Sequence, residues 1–301
     1  FSRKEEFQHD MFRPPTHHVL RGNLNADGLL EGLEHEFVSG DVGNDSALLP
    51  GFLPPIIGAD IGAIRGGFIQ YTKVPNYRSI YWHVDLPFAT SWWRSLGLLA
   101  NTFALESFMD EMALKANMNA VDFRLAQIGD DAIGVRLKNV IRAAAEGAGY
   151  SEEIIDGRAM GFAASIDANT PCAQVAEVSI VDNAIVVHRV TVSLDPGLAV
   201  NPDQIRAQCE GCVIMGMSAV LYEQMYLENG ELQPTIYGPY KMALMKNAPK
   251  EIDVVLLQGK DTPGAVGEPP LGPIGAAIAN AVRRLTGERL TELPLKLSKT
   301  M

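Results

Sequence analysis

The sequence is poor in cysteine, in basic charge and in long apolar runs. Its 301 residues include only three cysteines, Cys172, Cys209 and Cys212, too few and odd in number for a disulfide framework. The 36 acidic residues outnumber the 25 lysines and arginines, and a formal net charge of −11 disfavours binding to nucleic acid or anionic lipid. No apolar run approaches the roughly 18–20 residues that a membrane-spanning helix needs.

The rest of the composition is that of an ordinary globular protein, with 47% hydrophobic and 20% charged residues. The length suits about two domains, which we expect at residues 1–150 and 151–301. Strands and helices alternate without a steady βαβ order, which predicts an α+β fold of mixed sheets and packed helices. The chain begins at Phe1 rather than methionine, so we expect a processed chain or a piece of a longer precursor.

Apolar periodicity and turn residues locate the main elements. A hairpin is predicted around the turn at 25–28, joining strands 17–25 and 29–39. Residues 40–75 are rich in glycine and proline, and such a long irregular stretch is usually functional or packs against another segment. The remaining predictions are strands at 80–86, 161–166, 173–181, 184–194, 225–227 and 252–258, and helices at 99–118, 120–128, 132–148, 203–221 and 272–285.

The segment with the clearest chemical signal is the turn around Glu268. This carboxylate stands between Gly267 and two prolines, after a predicted strand and before a predicted helix. Glycine allows close approach of a ligand, proline stiffens the turn, and a carboxylate shielded from water there could serve as a general base. The alternative is a carboxylate at a helix start, where the helix dipole stabilises it. Spacing alone leaves both open.

Three segments in order resemble the xanthine dehydrogenase and aldehyde oxidase family of molybdenum hydroxylases. Residues 266–271 (Val-Gly-Glu-Pro-Pro-Leu) resemble its catalytic-glutamate motif. Residues 92–97 (Trp-Trp-Arg-Ser-Leu-Gly) and 106–111 (Glu-Ser-Phe-Met-Asp-Glu) resemble its arginine loop and the helix that follows. Residues 201–211 resemble the glutamine helix that approaches the pterin. The opening of the chain and the Arg-Ser pair resemble the isoquinoline 1-oxidoreductase branch, at its beta chain, so this would be the C-terminal part of a molybdopterin-binding subunit.

The resemblance implies roles at the substrate. Glu268 would be the general base of a hydroxylation in which water supplies the oxygen atom. Arg94 would orient the substrate and stabilise developing negative charge, the alternative being an ordinary surface ion pair. Leu96 stands where xanthine-oxidising members carry an aromatic residue, so an N-heterocycle other than a purine, or an aldehyde, is expected as substrate.

The resemblance also implies residues that hold the cofactor. Trp93 and Ser95 would face it with their backbone, and Gly267 would let the chain approach it closely. Gln208 would hydrogen-bond the pterin because an amide both donates and accepts; the alternative is an exposed helix glutamine. No protein side chain is expected to ligate the metal directly.

Two other clusters do not predict metal sites. Cys209 and Cys212 form a Cys-x-x-Cys pair without a second pair or a nearby histidine, so we interpret them as small core residues on one helix face. His17 and His18 have no third ligand at a suitable spacing, so we interpret them as strand surface.

The implied cofactor is molybdopterin with molybdenum, in the cytosine dinucleotide form. The chain lacks four cysteines for an iron–sulfur cluster, so a two-iron two-sulfur partner subunit is expected. The family's Gly-rich pterin loop is missing as well, so a companion chain or segment should supply it. A non-catalytic assembly module is the alternative: Leu96 and the missing loop favour it, whereas Glu268 and Arg94 oppose it. The compartment, cytoplasmic or periplasmic, stays open.

Overall fold

A computed structural model describes residues 1–44, 58–259 and 262–298. The chain begins with a short helix α1 (Arg3–His9), which the sequence analysis missed. Ser2 and Glu5 form a capping box at its start, each side chain hydrogen-bonding the other residue's backbone N–H. Part of the glycine- and proline-rich stretch, residues 45–57, lies outside the described residues.

The first sheet has the order β1-β2-β3, with strands Thr16–Leu24, Leu30–Ser39 and Asn76–His83. The predicted hairpin between β1 and β2 is confirmed, and the Asn25 side chain accepts hydrogen bonds from two backbone N–H groups in its turn. β3 runs parallel to β2, about four residues earlier along the chain than predicted. The prediction for His18 was wrong, because this ring packs between those of His35 and Phe37.

Three helices follow: α2 (Leu98–Lys115), α3 (Ala120–Gln127) and α4 (Ala132–Ala148). α4 has the predicted bounds because both of its ends carry strong signals. The Asp131 side chain accepts from the Gly134 N–H at the first turn, and Gly149 ends the helix in the left-handed conformation.

The second sheet has the order β4-β5-β6-β9, with strands Arg158–Asp167, Thr170–Val181, Ala184–Leu194 and Glu251–Leu256. The tight turns at 168–169 and 182–183 place both central residues at positive φ, as two-residue hairpins require. The helix α5 (Pro202–Leu221) and the small hairpin β7–β8 (Tyr226–Glu228, Glu231–Gln233) precede β9. The mixed sheets and packed helices confirm the predicted α+β class.

The last helix, α6 (Ile274–Thr286), lies in the core and packs on β4, β5 and α2. Gly161 of β4 touches the helix backbone: a Cβ there would lie 2.0 Å from the Ala277 oxygen and 2.3 Å from the Ala281 nitrogen. α2 and α6 contact each other across residue 150, and the two-domain division stays a prediction. Within the residues that the structure describes, no helix is long and apolar enough to cross a membrane.

Candidate active site

The arginine loop ends in a tight turn that leads directly into α2. Ser95 and Leu96 both adopt positive φ, at 81° and 53°, a conformation that side chains with a Cβ disfavour. The next residue, Gly97, donates its N–H to the Gly62 carbonyl at 3.0 Å. A Cβ on Gly97 would lie 2.2 Å from the Ala63 oxygen, so only glycine allows the two backbone segments to approach this closely.

Glu268 reaches this turn from the other half of the chain. Its Oε1 accepts the Ser95 backbone N–H at 3.0 Å, and its side chain stays 33% exposed. A 3-10 turn, Pro269–Leu271, separates Glu268 from α6, and the Glu268 side chain makes no capping hydrogen bond to it. The described contacts therefore differ from those of a carboxylate that caps a helix.

The arginine loop and the glutamine helix also meet at this turn. Arg94 donates from Nε to the Gly267 carbonyl at 2.7 Å and from Nη2 to the Gln208 Oε1 at 2.6 Å. The Cys212 thiol donates to the same Gly267 carbonyl at 3.4 Å. Among the described residues, Arg94 pairs with no carboxylate, which argues against the surface ion pair considered from the sequence. All three motifs singled out in the sequence thus converge.

One residue of the site escaped the sequence analysis. Arg65, from the glycine-rich stretch, places its Nη1 2.8 Å from the Glu268 Oε2. Its other two nitrogens bind Asp167, and the Nε–Oδ1 distance is 2.8 Å. Burial opposes the charge of the guanidinium, yet the carboxylates of Asp167 and Glu268 together raise the pKa of Arg65. The irregular composition of its segment was the only sequence signal.

The remaining predicted site residues lie around the same turn. Trp93 packs against the larger hydrophobic core, and the guanidinium of Arg13 lies 5.1 Å from its ring centre. The half-buried Leu96 packs on Gly62, where a Cβ would come within 2.9 Å of its Cδ2. The Ser95 hydroxyl is buried and has no hydrogen-bond partner among the described residues.

The helix motif at 106–111 has a structural role. Glu106 is buried in α2 and accepts from the Arg124 Nε at 2.8 Å, the Ala164 N–H at 2.9 Å and the Tyr71 hydroxyl. Burial, together with the charge of Glu106, holds the pKa of Tyr71 well above its ordinary value. These contacts tie α2 to α3 and β4, so this part of the motif supports the site from behind.

The cysteine pair agrees with its interpretation as core. Cys209 and Cys212 are fully buried on one face of α5. Burial raises the pKa of both thiols to about 12, so they stay protonated and unreactive at neutral pH.

Comparison with known proteins agrees with this geometry. The sequence profile of the molybdopterin cofactor-binding domain family matches residues 105–249. The beta chain of the isoquinoline 1-oxidoreductase of Brevundimonas diminuta is 31% identical over 305 residues, which cover 98% of this chain and 38% of the relative. The chain belongs to the molybdopterin-binding molybdenum hydroxylase family. Another relative in the family, from the nicotinate dehydrogenase of Pseudomonas putida, is 30% identical over 92% of this chain and 25% of its own length.

Solved structures of the family share the fold. The quinoline 2-oxidoreductase of Pseudomonas putida 86 superposes with a TM-score of 0.77 at 12% identity, covering 95% of this chain and 61% of that one. The aldehyde oxidoreductase of Desulfovibrio gigas superposes with a TM-score of 0.75 at 15% identity, covering 98% and 49%. The chain thus spans between a quarter and about two fifths of the two curated relatives described above.

Proposed function

We propose that this chain is the C-terminal part of the molybdopterin-binding subunit of a hydroxylase that acts on an N-heterocycle or an aldehyde, with water as oxygen donor. The observation that carries the proposal is the convergence of Glu268, Arg94 and Gln208 on one turn. The names of the relatives support the substrate class, since isoquinoline 1-oxidoreductase and nicotinate dehydrogenase are named for N-heterocycles.

The polar groups at the turn fit an anionic pterin cofactor. The buried Ser95 hydroxyl lacks a partner among the described residues, and Gln208 is exposed, with its oxygen already bound by Arg94. We assign these groups, with the backbone at Trp93 and Gly267, to holding molybdopterin in its cytosine dinucleotide form. When bound, this cofactor supplies the oxidation chemistry, because it accepts the electrons that the substrate loses.

Glu268 acts as the general base in this proposal. Its carboxylate takes the proton that the attacking oxygen must lose, and the Ser95 N–H fixes Oε1 during the transfer. Arg94 orients the substrate and adds positive charge beside the turn. Leu96 leaves the substrate ring without an aromatic wall, which favours a heterocycle other than a purine or an aldehyde.

The complete enzyme needs partners in this proposal. Electrons leave through a two-iron two-sulfur subunit, since three buried, free cysteines cannot hold such a cluster. A companion chain or segment supplies the Gly-rich pterin loop and closes the cofactor site from the other side.

The test is Glu268→Gln in the assembled enzyme, with molybdenum content measured beside turnover. We expect kcat to fall by roughly 10²–10⁴-fold at full molybdenum content, as for a lost general base. The control is Glu153→Gln, an exposed carboxylate in the loop before β4, which should leave kcat unchanged. Near-normal turnover of the Glu268 variant would refute the assignment. An assembled native protein without molybdenum would favour the non-catalytic module.

A further inference from the structure

The Glu268 carboxylate is bound at both of its oxygens by groups from separate parts of the fold. Oε1 accepts the Ser95 N–H at 3.0 Å, and Oε2 lies 2.8 Å from Arg65 Nη1. A carboxylate bound at one oxygen can rotate about that contact, whereas two contacts from different directions define one orientation.

Arg65 is itself held in place. Asp167, whose side chain is only 4% exposed, binds the Nε and Nη2 atoms of the guanidinium in a bidentate pair. Asn101 on α2 donates to the backbone carbonyls of Ala63 and Arg65, at 2.9 Å and 2.8 Å. Both the side chain and the backbone of Arg65 are therefore fixed before it meets Glu268.

The charges in this chain of contacts alternate. Asp167 balances the charge of Arg65, so the bridge orients Glu268 without leaving a net positive charge beside it. An arginine without such a counter-ion would instead stabilise the ionised form of Glu268 and weaken it as a proton acceptor. The other ionisable groups beside this turn are Arg94, which binds the Gly267 carbonyl, and the protonated Cys212 thiol.

We infer that Arg65, anchored by Asp167, is a positioning residue that sets the orientation of the Glu268 carboxylate for proton transfer. The inference rests on the proposed role of Glu268 as the base. The fork geometry is specific to arginine, because a lysine ammonium cannot bind Asp167 through two nitrogens and reach Glu268 with a third.

The test is a double-mutant cycle in the assembled, molybdenum-loaded enzyme. Arg65→Met should lower kcat by roughly 10–100-fold, as misplacement of a reacting group does, with KM changed by less than about threefold. Arg65→Lys should recover only part of the loss. In the Glu268→Gln background, Arg65→Met should cost less than about twofold more, because a residue that acts only through Glu268 has nothing left to position.

Two readouts do not depend on turnover. Molybdenum content should stay at the native level in Arg65→Met, and a crystal structure of that variant should show the Glu268 carboxylate displaced or in several conformers, with the Ser95 turn unchanged. The matched control is Arg158→Met, which removes a surface pair with Glu177 and should leave kcat and the Glu268 conformation as they are.

Each contrary result is distinct. A further loss of tenfold or more when Arg65→Met is added to Glu268→Gln would show that Arg65 acts independently, and would overturn the inference. Loss of molybdenum from Arg65→Met would overturn it as well, because Arg65 would then serve cofactor retention. Near-normal turnover of Glu268→Gln alone would refute the proposed function instead.

Discussion

Replacing Glu106 with glutamine tests whether the buried ion pair behind the site holds the two halves together. Glu106 and Arg124 both have side chains with no exposed surface, and the carboxylate binds donors from Arg124, Ala164 and Tyr71. Glutamine keeps the shape but removes the charge and one acceptor oxygen. Its amide NH2 would then face groups that are themselves donors, and Arg124 would remain a buried cation without its counter-ion.

The expected cost is about 3–5 kcal/mol of unfolding free energy, the usual result of removing one partner from a buried pair. The three contacts give the same order, because a hydrogen bond to a charged group contributes about 1.5–3 kcal/mol and glutamine keeps some of them. Domains of this size are stable by about 5–15 kcal/mol, so the loss would consume much of the total.

The assay is urea unfolding of the assembled protein, followed by fluorescence and by cofactor release. Glu111→Gln is the matched control, because this neighbouring carboxylate has a 46% exposed side chain and pairs with Arg289 at the surface. We expect the control to cost less than about 1 kcal/mol. Adding Arg124→Met to Glu106→Gln should recover part of the loss, since the unpaired charge is then gone. A cost below about 1 kcal/mol for Glu106→Gln would refute the reasoning.

Two further predictions concern stability. Gly161→Ala should cost more than about 3 kcal/mol because its Cβ would collide with the α6 backbone, whereas Gly149→Ala, at positive φ in open space, should cost about 1 kcal/mol; equal thermal shifts would contradict this. Burial lowers the pKa of His35 to about 4 and that of His18 to about 3, so below pH 6.5 the unfolded chain binds protons that the folded chain does not. Unfolding free energy should therefore fall as the pH drops from 6.5 to 4, by about 1.4 kcal/mol per pH unit for each fully responding histidine, and His35→Gln should flatten the dependence in a urea series.

Elements with strong local signals could be predicted from the sequence. The helix from Ala132 to Ala148 has its predicted bounds because its capping aspartate and its terminal glycine are both visible in the sequence. The turn at 182–183 was equally clear, since Asp-Asn tolerates the positive φ of a tight hairpin. The short helix at Arg3–His9 was missed although its capping box was present, because only seven residues follow the cap.

The site was predictable only where a motif identifies it. Glu268, Arg94 and Gln208 belong to recognisable segments, and the structure brings them together. Arg65 and Asp167 stand in no such pattern. They lie 102 residues apart, and only the packing of the glycine-rich stretch against the end of β4 makes them neighbours. The parallel register of β3 on β2 is a tertiary feature of the same kind, which explains the misplaced strand.

The spread of the site along the chain has a consequence for biosynthesis. Arg94 is translated well before its acceptors, the Gln208 amide and the Gly267 carbonyl, and Ser95 is translated equally long before the Glu268 carboxylate. A nascent chain that has emerged only through α5 therefore has an arginine loop with half of its contacts missing. Loading of a cofactor onto this turn must follow translation through residue 268, and a product interrupted before that point would accumulate empty.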